Sequence, residues 1–230
     1  MEMKTIIHRL EECGNADAVK GMARFGINPE KVFGVSMPDL RSLAKEIGVD
    51  HDMAGLLWKM KYRETMILSS LIDDPTLVDE NQLGSMVKDF YDWEVCDQTI
   101  MNLMQKTPFA WDYAAKWCER EEEFVRRAGF VLIARLAVSE KTVSDEKFMA
   151  YFRYIKKYSV DERNVVKKAV NWALRQIGKK SIFLNREAIK LAQDIQTVES
   201  RAARWIAADA IRELKSPAVQ QRLRKKNENS

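Results

Sequence analysis

The chain has 230 residues, 38 of them basic and 34 acidic, for a formal net charge of +4. Apolar residues make up 46% and charged residues 31%, a globular composition that excludes disorder and allows one or two domains with a sizeable core. With 9 glycines and 5 prolines there are too few turn formers for a sheet-rich sandwich or barrel, so an all-α chain is expected.

The N-terminus, Met1 to Arg9, mixes acidic and basic residues where a signal peptide needs an apolar stretch. From there to about Ser216 helix follows helix. Gly26-Ile-Asn-Pro-Glu30 and Gly34-Val-Ser-Met-Pro38 are connectors, and Ser36 is placed to cap a helix with Pro38 in its first turn. Asp74-Pro75, Thr107-Pro108 and Ser216-Pro217 mark later boundaries. The longest apolar run, Ala128–Ala134, has seven residues, so no membrane span and no membrane partner are expected. Residues 217–230 read as a polar C-terminal tail that frays.

Several chemistries lack their residues. Cys13, Cys96 and Cys118 are few and irregularly spaced, which suits a reducing cytoplasm. His8 and His51 are the only histidines, so neither a Ser-His-Asp triad nor a zinc set is signalled, and no metal is expected. GxGxxG and GxxxxGK[ST] are absent, and no cofactor is expected.

Phe124-Val-Arg-Arg-Ala-Gly-Phe-Val-Leu-Ile-Ala134 aligns with Val165-Val-Lys-Lys-Ala-Val-Asn-Trp-Ala-Leu-Arg175, and both align loosely with Ala202–Arg212, at offsets of 41 and 37 residues. Arg63–Ile72 and Glu94–Leu103 are fainter copies. A degenerate period near 40 residues predicts HEAT-like helical pairs stacked into a curved α-α solenoid, a single repeat domain over 1–216. The alternative is an irregular helical bundle.

Arg126-Arg127, Lys167-Lys168 and Arg201 with Arg204 fall at the starts of successive repeat helices. Corresponding positions in a solenoid form a stripe, and a basic stripe tracks a phosphate backbone by releasing counterions. Backbone N–H groups at those helix starts could hold phosphate as well. The alternative is a solvated edge balanced by Glu119–Glu123, Asp161, Glu162 and Glu199.

Trp93 and Asp97 are four residues apart and share a helix face, Trp172 lies mid-helix, and Arg127 opens another helix. A carboxylate between two indoles would stabilise positive charge developing on a sugar and orient a water. Each residue also has a plain reading, a core tryptophan or a surface acid. Trp58, Trp111, Trp117 and Trp205 are expected in the core.

Trp93-Glu-Val-Cys-Asp97, Phe124-Val-Arg-Arg-Ala128 and Val166–Arg175 resemble the AlkD-type DNA alkylation repair family, over about Ala18 to Leu214. The resemblance implies a HEAT-like solenoid and a DNA glycosylase for purines alkylated at N3 or N7, acting on double-stranded DNA without base flipping. It implies that Asp97 is the catalytic carboxylate, that Trp93 and Trp172 pack on the deoxyribose, and that Arg127 contacts phosphate. Arg126, Lys167, Lys168 and Arg204 would line the DNA groove of a monomer. The family's early groove-entering helix corresponds to Lys20-Gly-Met-Ala-Arg-Phe25, with Arg24 a phosphate contact and Phe25 in place of a tyrosine. Gly21 and the Gly26–Pro29 break weaken that helix, and relatives altered there lack excision activity. A non-catalytic module for distorted or branched DNA, or a protein–protein scaffold, are the other readings.

Overall fold

Short polar side chains fix the helix starts where the sequence places them. Ser36 Oγ accepts the Asp39 N–H at 3.3 Å with Pro38 in the first turn, and Ser181 and Ser200 take the N–H groups of Leu184 and Ala203 at 3.0 and 3.2 Å. The computed structural model describes residues 1–24, 26, 27 and 29–228, and among them the regular structure is entirely helical. Phe25 lies outside the described residues.

The helices in chain order are α1 (Met3–Glu12), α2 (Ala16–Ala23), α3 (Met37–Ile47), α4 (His51–Lys59), α5 (Arg63–Ile72), α6 (Glu80–Met86), α7 (Trp93–Asn102), α8 (Ala110–Cys118) and α9 (Glu123–Ser139). There follow α10 (Asp145–Met149), α11 (Phe152–Tyr158), α12 (Asn164–Gly178), α13 (Ile182–Gln196), α14 (Arg201–Leu214) and α15 (Pro217–Glu228). Two compact units divide the chain, Met1–Ala110 and Trp111–Ser230.

In the first unit α5 packs on α3, α4 and α7. Its core joins Ile6 and Leu10 of α1 to Leu40 and Leu43 of α3, Leu57 of α4 and Leu68 of α5. In the second unit α9 packs on α12 and α12 on α14, while α13 touches both α11 and α15, so successive helices form two adjoining rows. Gly129 lets α9 approach α8, because a Cβ there would lie 2.5 Å from the Cys118 amide nitrogen.

The repeat length is visible in the polar links between successive repeats. In the second unit the partners stand 35 to 42 residues apart: Arg126–Asp161, Arg127–Val165, Asn171–Asp209 and Arg163–Glu121. In the first unit the separation shortens to about 30, as in Phe33–Glu64 and Arg63–Glu94, which are each 31 apart. The faintness of the early copies therefore reflects a shorter repeat.

The segment expected to fray as a polar tail is helical to Glu228. Val219 and Leu223, one turn apart, are buried against the unit, and Gln220 Nε2 donates to the Leu214 carbonyl at 2.7 Å. Those two apolar residues and the amide contact are enough to dock a helix that otherwise reads as polar.

Candidate functional site

The first unit holds Trp93 and Asp97. Asp92 Oδ1 accepts the Val95 N–H at 2.8 Å, which starts α7 at Trp93 and leaves Asp97 in the second turn, outside the capping role. Asp97 is 8% exposed, and Trp93 is half-buried.

The first turn of α7 is anchored from α5. The buried Arg63 guanidinium reaches both Glu94 oxygens at 2.7 Å, in the two-pronged geometry of the strongest ion pairs. Its third nitrogen donates to Glu64 at 2.9 Å and to the Val35 carbonyl at 3.1 Å. Glu64 in turn accepts the N–H groups of Phe33, Gly34 and Val35 at 2.9, 2.9 and 3.2 Å. Burial disfavours the charge on Arg63, yet Glu94 and Glu64 outweigh it and raise its pKa. This network fixes where α7 begins, and hence where Asp97 stands.

The second unit holds Arg126, Arg127, Lys167, Lys168, Trp172 and Arg204. Consecutive helical residues point about 100° apart, so Arg126 and Arg127 cannot face one surface together. Arg127 is 6% exposed and its Nη1 donates to the Val165 carbonyl at 2.5 Å, joining α9 to the first turn of α12. Arg126 stacks 4.3 Å from the Tyr158 ring centre and pairs with Asp161 at 2.8 Å, which also binds Arg163 at 2.6 Å. For Arg126 the local-balance alternative describes the geometry.

Along α12, Lys168, Trp172 and Gln176 follow at four-residue spacing and share a face. Lys168 is exposed and Trp172 half-buried. With the Gln176 amide turned to accept, its oxygen takes Trp172 Nε1 at 2.9 Å and Lys179 Nζ at 3.3 Å. Lys167 lies 5.2 Å from the ring centre of Trp205, which is 41% exposed beside exposed Arg204. Trp205 was expected in the core. The buried stripe of α14 is Ala202, Ala203, Ile206, Ala207, Ala210 and Leu214, and that spacing leaves position 205 outside it. Of the other three tryptophans, Trp58 and Trp117 are buried and Trp111 is half-buried.

The helix starts differ in what they offer an anion. At α14 the position is filled from within: Glu162 Oε1 accepts the Ala202 N–H and Ser200 Oγ, both at 3.0 Å. These bonds hold the Glu162 carboxyl below its ordinary range. The expectation that this helix start holds phosphate is corrected accordingly. Arg24 is exposed at the C-terminal end of α2, where its N–H bonds the Gly21 carbonyl at 3.2 Å.

Thus Trp93 and Asp97 stand on one helix of the first unit. On α12 and α14 of the second, Lys167 stands over Trp205, next in sequence to exposed Arg204, while Lys168 and Trp172 share another line of α12. No helix among the described residues is long and apolar enough to cross a membrane.

A family model described as DNA alkylation repair enzyme matches residues 6–214. A solved structure described as "A new family of proteins related to the HEAT-like repeat DNA glycosylases with affinity for branched DNA structures" aligns with a TM-score of 0.80 at 21% identity, over 97% of this chain and 96% of that one. That likeness shows a HEAT-like helical-repeat fold. An engineered protein of known structure aligns with a TM-score of 0.44 at 12% identity, over 90% of this chain and 89% of that one. No curated protein matches the chain significantly.

Proposed function

The chain belongs to the DNA alkylation repair enzyme family, and from that premise we propose that it is a DNA glycosylase. It hydrolyses the N-glycosidic bond of purines alkylated at N3 or N7 in duplex DNA, without flipping the base. The observation that carries this reading is Asp97, a carboxylate in the second turn of α7, one turn beyond Trp93, in a helix already capped by Asp92.

An N3- or N7-alkylated purine carries positive charge and leaves without a general acid. The C1′–N9 bond breaks, its electron pair goes to the purine, and positive charge develops on the sugar. Asp97 stabilises that charge and orients the attacking water, whose oxygen bonds to C1′ as its proton passes to the carboxylate or to solvent. The indole face of Trp93, one turn from Asp97 on the same helix, favours the same cation. Arg127 contacts a phosphate, while Lys167, Lys168 and Arg204 neutralise others and Arg24 adds a contact from α2. The products are free alkylpurine and an abasic site.

A second reading is a non-catalytic DNA-binding protein. Asp97 and Arg127 are only 8% and 6% exposed, and this burial favours it. The similar solved structure is described as having affinity for branched DNA. Incubation with duplex DNA containing N7-methylguanine, with released base assayed by chromatography, separates the two. Release supports the glycosylase, whereas salt-dependent binding of duplex or four-way junction without release selects the second reading.

A further inference from the structure

We propose that a cationic cavity between α9, α12 and α15 is a second phosphate site, taking phosphodiesters of the DNA strand that runs past Trp172. The inference rests on the DNA-binding part of the reading above.

The cavity encloses about 450 Å³. Lys141, Lys179, Lys180, Arg222 and Lys226 line it, and no carboxylate among the described residues does; Asp145 lines the adjoining pocket that shares Lys141, Lys180 and Lys226. Lys180 is buried, with its ammonium on the Glu140 carbonyl and 4.7 Å from the Phe148 ring centre. Lys226 Nζ donates to the Lys180 carbonyl at 2.6 Å, and Lys179 pairs with Glu213 at 2.5 Å. Burial, followed by repulsion from Lys226, pushes the Lys180 pKa below that of an ordinary lysine. Lys141 and Arg222 are exposed, and neither makes a hydrogen bond or ion pair with another described residue.

Gathering like charges around one cavity raises the energy of the folded chain, and an anion bound there offsets it. The α15 helix supplies two of the charges. It buries Val219 and Leu223 while Arg222 and Lys226, one turn apart, reach the cavity. The cavity is also continuous with the face that carries Trp172, since Gln176 both lines it and accepts the Trp172 indole N–H. Gln176 is four residues, about 6 Å along the helix, beyond Trp172. That is between one and two nucleotides at about 3.4 Å each along a strand. A strand held at Trp172 therefore presents its neighbouring phosphates to this cavity.

The test compares the wild type with Lys141→Ala/Arg222→Ala on a duplex of about 20 base pairs, titrated across salt concentrations. Losing two phosphate contacts is expected to flatten the plot of log K against log salt by about 1.8 and to weaken binding at least tenfold at 0.1 M salt. Thermal melting should be unchanged or slightly raised, because both side chains are exposed, neither has a partner among the described residues, and their loss relieves like-charge repulsion. Arg222→Lys should keep the wild-type slope. Equal affinity and slope for the double variant, with the wild type binding well, would overturn this site alone. Failure of the wild type to bind DNA at low salt would overturn the DNA-binding reading and this site with it. Titration with inorganic phosphate and pyrophosphate distinguishes the source of the anion. Submillimolar binding of either, with the DNA slope unaltered, would assign the cavity to a small anion and overturn the proposal.

Discussion

Arg126 and Asp161 form a largely buried ion pair at 2.8 Å that ties α9 to the chain entering α12, and Asp161 is shared with Arg163 at 2.6 Å. Burial raises the Asp161 pKa, but the hydrogen bonds from Arg163 and Arg126 outweigh it and hold the carboxyl below the ordinary aspartate value of 3.8. Because the folded value is the lower one, the pair's contribution is complete above about 3.8 and is lost as pH falls through the folded pKa. The melting temperature should therefore drop steeply below that pH. Asp161→Asn should melt lower at pH 7 and lose less on acidification, as calorimetry at pH 7, 5, 4 and 3 would read.

Glu94→Ala removes the two-pronged partner of Arg63 and leaves its buried guanidinium only Glu64 and the Val35 carbonyl. The expected cost is about 1.5–3 kcal/mol, measured by urea unfolding. Glu94→Gln keeps the shape and should cost less.

Lys168 and Arg204 are exposed, whereas Arg126 is committed to Asp161 and Tyr158. Lys168→Ala/Arg204→Ala should weaken duplex binding and flatten the salt dependence by about 1.8. Arg126→Ala should instead lower the melting temperature and leave the salt slope near wild type. Fluorescence anisotropy across a salt series, paired with melting curves, reads both effects.

Trp205 and Trp117 should separate by stability. Truncating buried Trp117 to Ala should cost about 3–5 kcal/mol, and truncating Trp205 to Ala about 1 kcal/mol or less.

The fold class and the helix starts were legible because their determinants are local. Ser36 with Pro38 needs only its own first turn to act, and the unread caps Ser181 and Ser200 are of the same local kind. The 41- and 37-residue offsets were legible in the second unit because α9, α12 and α14 carry a basic residue (Arg126, Lys167, Arg204) and apolar residues (Val125, Val166, Ala203; Ala128, Ala169, Ile206) at parallel positions. What a residue does across the repeat was harder to read. Arg126 and Arg127 are adjacent in sequence and look like one basic patch, yet each is fixed by a partner about 35 residues on, Asp161 and Val165. Glu162 carries no sequence sign that it fills the start of α14, 40 residues before Ala202. Trp205 could have been placed from the spacing of Ala202, Ile206 and Ala210 alone. The docked α15 was missed because its apolar stripe is just Val219 and Leu223.

The most direct measurement is the rate of 7-methylguanine release from duplex DNA under single-turnover conditions, for wild type and Asp97→Asn. Removing the carboxylate's charge is expected to slow release by at least about a hundredfold, the scale of a lost transition-state electrostatic contact, with duplex affinity and melting temperature preserved. Equal rates for the two proteins, or no release by the wild type, would contradict the assignment of Asp97 as the group that drives the chemistry.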